Sequence, residues 1–167
     1  MSETIFETIH GSHLYGLAHA GSDRDVYLVT TSLATKARHR QGEEQDTATV
    51  PWDVFLRRIY EGSHQSVEAL FSPYKEWNPK YASLAPMLDD YRITGSNVFA
   101  KYERTIKKFS YSDEFKRRRH AVRLFLNLRD LRRDGRFDPR LNEEEIRFVN
   151  NMANAFTGDD LKGVLLG

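Results

Sequence analysis

A chain of 167 residues that is 40% hydrophobic and 29% charged can bury a core of its own, and the absence of cysteine rules out disulfides and thiolate-held metals. The net charge of +1 hides an uneven distribution: residues 1–100 carry a net −4, residues 101–136 a net +8 and residues 137–167 a net −3. No stretch approaches membrane-spanning length and the first residues show no basic region followed by an apolar run, so a cytoplasmic location without a membrane partner is the expectation.

Thr4–His10 is β-branched and aromatic and reads as a buried strand running straight into Gly11-Ser12. Glycine lets a backbone approach a phosphate closely, and serine adds a hydroxyl beside free N–H groups. Asp23 and Asp25 then open a second strand over 25–30. Residues i and i+2 of a strand share a face, so the two carboxylates are expected to project together. Two like charges held that close call for a cation, and hard oxygen ligands suit Mg²⁺ or Mn²⁺, which take further ligands from substrate phosphates.

The string Gly11-Ser12-His13-Leu14-Tyr15-Gly16, followed by Ser22-Asp23-Arg24-Asp25, resembles the signature of the polymerase-β-like nucleotidyltransferase superfamily. It is similar in particular to a branch of small predicted nucleotidyltransferases of bacteria and phages. The resemblance implies an α/β (α+β) fold, with a short mixed twisted sheet carrying the acidic site, packed helices and a mostly helical C-terminal half. It also implies an NTP substrate held at Gly11, Ser12 and His13, with Mg²⁺ or Mn²⁺ on Asp23, Asp25 and a third carboxylate on a following strand.

Residues 31–44 are polar and basic without a clear period and read as a mobile connection. Residues 45–50 are a β-branched third strand ended by Pro51, which suits the first turn of a helix. Asp46 on that strand is the candidate third carboxylate. Asp53 is the rival, although the helix dipole alone accounts for a carboxylate at a helix start. Over Trp52–Glu61 the spacing puts Trp52, Phe55, Leu56, Ile59 and Tyr60 on one inward face, stopped by Gly62. Ser63 caps a short helix with Val67, Leu70 and Phe71 inward. Its Glu68 reads as an exposed residue, or, by the resemblance, as a group that meets a ribose hydroxyl or orients a site residue. Residues 74–94 read as irregular, with a short helix near Pro86.

Ser96 caps a helix over 97–109 with Phe99, Tyr102, Ile106 and Phe109 inward. A longer helix over 113–133 carries Ala121, Leu124, Phe125, Leu128 and Leu131 on one face. Lys116, His120, Arg123 and Asn127 recur beside that face in one narrow stripe. By the resemblance, Lys116, His120 and Arg123 meet the triphosphate or base; otherwise they are surface ion pairs and a buried histidine. Asn142-Glu143-Glu144-Glu145 is a capping box opening a last long helix, and 161–167 is a packing segment or a frayed end. The division expected is a catalytic core over 1–95 and a helical region over 96–167.

His10 is expected to pack in or beside the first strand, and Tyr15 to fix its loop. The function the resemblance implies is transfer of NMP from an NTP to an acceptor hydroxyl, with release of pyrophosphate. The arginine-rich 101–136 segment favours RNA or a tRNA end as acceptor. Nucleotidylation of a protein or small molecule, as in antitoxin-like members, is the alternative. A catalytically silent nucleotide- or nucleic-acid-binding protein is the third reading.

Overall fold

The computed structural model describes residues 1–167 and resolves into two units, Met1–Tyr91 with Asp138–Arg140, and Arg92–Phe137 with Leu141–Gly167. The first is built on a five-stranded sheet. β1 (Thr4–His10) leads into a one-turn helix α1 (Gly11–Tyr15), then β2 (Arg24–Thr30), β3 (Arg38–Gln41) and β4 (Gln45–Pro51). Helices α2 (Trp52–Glu61) and α3 (His64–Phe71) follow, then the two-residue β5 (Glu76–Trp77), a 3₁₀ stretch (Pro79–Leu84) and α4 (Ala85–Asp89).

The strand order is β3-β4-β2-β1-β5. The β2–β4 pair is parallel and the other pairs are antiparallel, so the sheet is mixed and the unit α+β, as expected. Its strands bury one face, the pattern of a sheet covered on one side only. Phe6, Thr8, Tyr27, Val29 and Val50 are buried on that face. There α2 and α3 pack through Phe6 against Phe55 (centroids 5.5 Å apart), Tyr27 against Phe55 (6.2 Å) and a Thr8–Ser72 hydroxyl pair at 2.6 Å. Ile9, Val26 and Leu28 lie on the opposite, half-exposed face.

Three sequence expectations are corrected here. The 31–44 segment contains β3, which pairs antiparallel with β4. In α2 the buried side chains are Val54, Phe55 and Ile59, whereas Leu56 is 38% and Tyr60 72% exposed. A stripe drawn through five apolar residues is wider than the face this helix presents, and Val54 lies on the side that meets the sheet. Glu68, read as exposed, is 0% exposed.

The second unit is all helix: α5 (Ser96–Ser110), α6 (Phe115–Asp134), α7 (Glu143–Ala155) and α8 (Gly158–Leu166). α5 packs on α6 and on α8, and α6 also packs on α7. Over residues 121–128 only Phe125 of α6 is not buried, so this helix is central rather than amphipathic. α6 stops at Gly135, whose φ of +72° admits the left-handed turn and whose N–H reaches Leu131 O at 2.8 Å. The capping box of α7 forms in both directions, with Glu145 N–H donating to Asn142 at 2.8 Å and Asn142 N–H to Glu145 at 3.1 Å. The last residues form α8, held by buried Leu161 and Leu165.

Candidate active site

The parallel register of β2 and β4 decides which carboxylates meet. Asp25 pairs with Asp46, and Asp25 pairs with His10 on the other side. Across the sheet one row therefore reads Gln41, Asp46, Asp25, His10, with adjacent strands about 4.8 Å apart. In-register neighbours share a face, so both aspartates lie on the face carrying Tyr27. They line one cavity of about 440 Å³ with His10, Tyr27, His39, Arg58 and Gln65.

Asp23 differs from expectation. β2 begins at Arg24, so Asp23 stands before the strand, exposed, and the i, i+2 rule does not carry it to the face of Asp25. It follows a tight turn in which Ser22 N–H reaches His19 O and the Ser22 hydroxyl accepts from His19 N–H, both at 2.9 Å. Asp53 sits exposed in the first turn of α2, as its helix-dipole explanation requires. Of the two candidates for a third carboxylate, Asp46 is the one beside Asp25.

Gly11 is explained by two separate facts. Its φ is +67°, and a Cβ built there would lie 2.0 Å from Oδ2 of Asp25. The Asp25 carboxylate thus rests against bare backbone, and any side chain at position 11 would displace it. Ser12 follows in α1, half-buried, and its carbonyl accepts from Gly16 N–H and from Leu17 N–H. His13 is exposed, and its Nε2 lies 3.3 Å from Ser22 O, tying α1 to the turn before β2.

Beside the cavity lies a buried polar network around Glu68, a residue that the sequence reading placed on an exposed face. Glu68 Oε2 accepts from the Tyr15 hydroxyl at 2.5 Å and stands 3.1 Å from Nε2 of His10, a ring 13% exposed and not aligned there for a hydrogen bond. A carboxyl group taken fully out of water is costly unless donors meet it; the Tyr15 hydroxyl is one such donor, with the His10 ring beside it. His10 also packs edge-on against Tyr15 (6.2 Å) and beside Tyr27 (5.8 Å). The available signal was Glu68's place within an unbroken run of small and apolar residues. Burial raises the Tyr27 phenol pKa, with the Ser66 hydroxyl at 2.7 Å and the Arg58 guanidinium pulling it back.

No protein-family model matches the chain, and no curated protein matches it. Among solved structures it is similar to a nucleotidyltransferase-like protein from Exiguobacterium sibiricum 255-15. The TM-score is 0.39 and the identity 13%, over 98% of this chain and 65% of that one. The chain thus spans just under two thirds of that protein's length, and a likeness at this level carries no argument about activity.

Lys116, His120 and Arg123 lie on α6, in the second unit, and they do not share one environment. Lys116 is exposed near the helix start. Arg123 is 1% exposed and donates from a guanidinium nitrogen to Nδ1 of His120 at 2.5 Å. Because a guanidinium only donates, that ring nitrogen is the acceptor in this contact. The His120 ring also packs on Phe109 at 4.7 Å. Asn127, one turn on, is buried with no hydrogen-bond partner for its Nδ2.

No group of three His, Asp or Glu side chains is gathered to hold a metal unaided. The donor set still fits a hard divalent ion that takes the rest of its shell from water and phosphate. Two carboxylates share a face on rigid adjacent strands, with backbone rather than a side chain pressed against one of them.

Proposed function

We propose that this chain is a metal-dependent nucleotidyltransferase that moves NMP from an NTP to an acceptor hydroxyl. The observation that carries the reading is the in-register pairing of Asp25 with Asp46 at one cavity, with the Gly11 backbone packed against the Asp25 carboxylate. Asp25 and Asp46 would hold Mg²⁺ or Mn²⁺, with Asp23 reaching in from the turn before β2. Such ions, when bound, would supply electrostatic stabilisation to the attacking and leaving oxygens of an in-line displacement. Gly11 and Ser12 would hold the β- and γ-phosphates through N–H groups and the hydroxyl, with His13 beside them.

The acceptor oxygen forms a bond to the α-phosphorus as the bond from that phosphorus to the bridging oxygen breaks, and pyrophosphate leaves. Asp46 would take the proton of the acceptor hydroxyl. The roles of Lys116, His120 and Arg123 toward phosphate rest on the sequence resemblance alone.

RNA or a tRNA end is the favoured acceptor. Several α6 arginines are already engaged with carboxylates: Arg129 with Asp130 at 2.9 Å, Arg133 with Asp134 at 2.8 Å and Arg132 with Glu103. On α5, by contrast, Lys101, Arg104 and Lys108 lie within one exposed stripe and meet no carboxylate at ion-pair distance. Those three cations support a polyanionic acceptor.

The test is transfer from α-labelled NTPs with Mg²⁺ or Mn²⁺ to RNA, tRNA and cell extract. Wild type should label RNA, Asp25→Asn and Asp46→Asn should abolish labelling, and Asp53→Asn should retain it. Label on protein would select the protein-modifying alternative. Loss with Asp53→Asn but not Asp46→Asn would overturn the site assignment.

A further inference from the structure

The cavity that holds the aspartate pair also holds the Arg58 guanidinium, which no acidic side chain meets at ion-pair distance. Arg58 lies in the last turn of α2, half-buried, and lines the cavity opposite Asp25 and Asp46. Its backbone is fixed by the helix stop: Gly62, at φ +82°, and Ser63 both donate to the Arg58 carbonyl, Ser63 at 2.9 Å. The guanidinium lies against the Tyr27 phenol and meets no acidic side chain at ion-pair distance.

His39 forms a second wall. β3 pairs His39 with Ala48, two residues along from the Gln41–Asp46 pair, so His39 shares the face of Asp46. Arg40 alternates to the opposite face, whereas Arg38, at the start of the strand, also lines the cavity. One cavity of about 440 Å³, large enough for a small ligand, is thus lined by Asp25 and Asp46 together with Arg58, Arg38 and His39.

Asp25, Asp46 and Arg58 are carried into this cavity by three separate elements, β2, β4 and the end of α2. A half-buried guanidinium without a counter-ion is relieved by an oxyanion, which it grips through two parallel N–H groups. A ligand that carries both a divalent cation for the aspartates and an oxyanion for the guanidinium satisfies the whole cavity.

We propose that Arg58, assisted by His39, forms an oxyanion subsite that takes a phosphate group of a metal-chelated polyphosphate chain. That the chain belongs to a nucleotide rests on the function proposed above; the anion subsite itself does not. It lies within the first unit and does not draw on the α6 cations that the sequence resemblance pointed to.

The experiment is calorimetric titration of the full chain with sodium tripolyphosphate in Mg²⁺. Wild type is compared with Arg58→Gln, Arg58→Lys and His39→Gln, with melting curves to confirm folding. Arg58→Gln should weaken binding about tenfold or more, the usual effect of losing a charge-assisted hydrogen bond. Arg58→Lys should restore part of that loss, and His39→Gln should cost less. An Asp25→Asn, Asp46→Asn protein should bind tripolyphosphate in EDTA and still lose that binding when Arg58→Gln is added. Unchanged affinity in folded Arg58→Gln, or no tripolyphosphate binding by wild type in Mg²⁺, overturns the subsite. Arg58-dependent binding without transfer to any acceptor leaves the subsite standing and overturns the transferase reading. Transfer with tripolyphosphate affinity indifferent to Arg58 does the reverse.

Discussion

Gly11 is the residue at which sequence and geometry meet most tightly. Gly11→Ala forces a left-handed backbone on an alanine and drives a methyl into the Asp25 carboxylate. It should cost about 1–3 kcal/mol of stability. Thermal melts with and without Mg²⁺ should show a lower transition and no gain from the metal. Glu68 is a second residue whose replacement tests the geometry directly. Glu68→Ala removes the acceptor of the Tyr15 hydroxyl and the partner of His10, and should destabilise by about 3 kcal/mol in urea unfolding. Tyr15→Phe, which deletes a single donor, should cost about 1–2 kcal/mol. A Glu68→Ala protein as stable as wild type would show that the network is dispensable to the fold.

The Gly-Ser step and Asp25 were legible because their meaning is local: a strand, a turn and an acidic strand start. Glu68 was not, because its reason to be acidic lies 53 residues away at Tyr15 and 58 away at His10. Nor could local sequence show Asp46 beside Asp25. Only the β2–β4 register does that, and a parallel pairing across an intervening strand leaves no periodic trace.

Elements were found where period or punctuation was strong. The spans of β1 and α2 and the capping box of α7 were all readable from spacing and caps. β3 was missed because Arg38-His39-Arg40-Gln41 has neither β-branched residues nor alternation; it is a strand only because β4 offers it a ladder. The α2 face was misjudged for a related reason, since periodicity names a stripe but the sheet chooses its edge. Two substitutions separate the two faces. Val54→Ala should cost about 2 kcal/mol, whereas Tyr60→Ser, on a side chain 72% exposed, should stay within about 0.5 kcal/mol in denaturant melts. For α7, Asn142→Ala removes the acceptor of the Glu145 N–H and should cost about 1 kcal/mol.

At the scale of the whole molecule, charge is divided between units, and pairing decides which part of it can act at a distance. The exposed α5 stripe is the part left to an external polyanion. Replacing Lys101, Arg104 and Lys108 together by Gln should weaken binding of single-stranded RNA and flatten its log–log salt dependence by about two. An unchanged slope would place the RNA contact elsewhere. No helix is long and apolar enough to cross a membrane.

The sheet's two margins carry a last consequence. β5 is only two residues long, and β3 shows Arg38, His39 and Arg40 to solvent, all exposed. A flat apolar margin would invite a second chain to continue the ladder, whereas arginines repel one another across any such junction and a two-residue strand offers too few bonds to extend. The strand hidden from sequence inspection therefore leaves this sheet margin poorly suited to carrying its ladder into a second chain. Arg38→Val and Arg40→Val, both exposed on an edge strand, should leave the fold intact. Light scattering at rising protein concentration should then report growth of soluble aggregates into fibrils, while wild type stays clear.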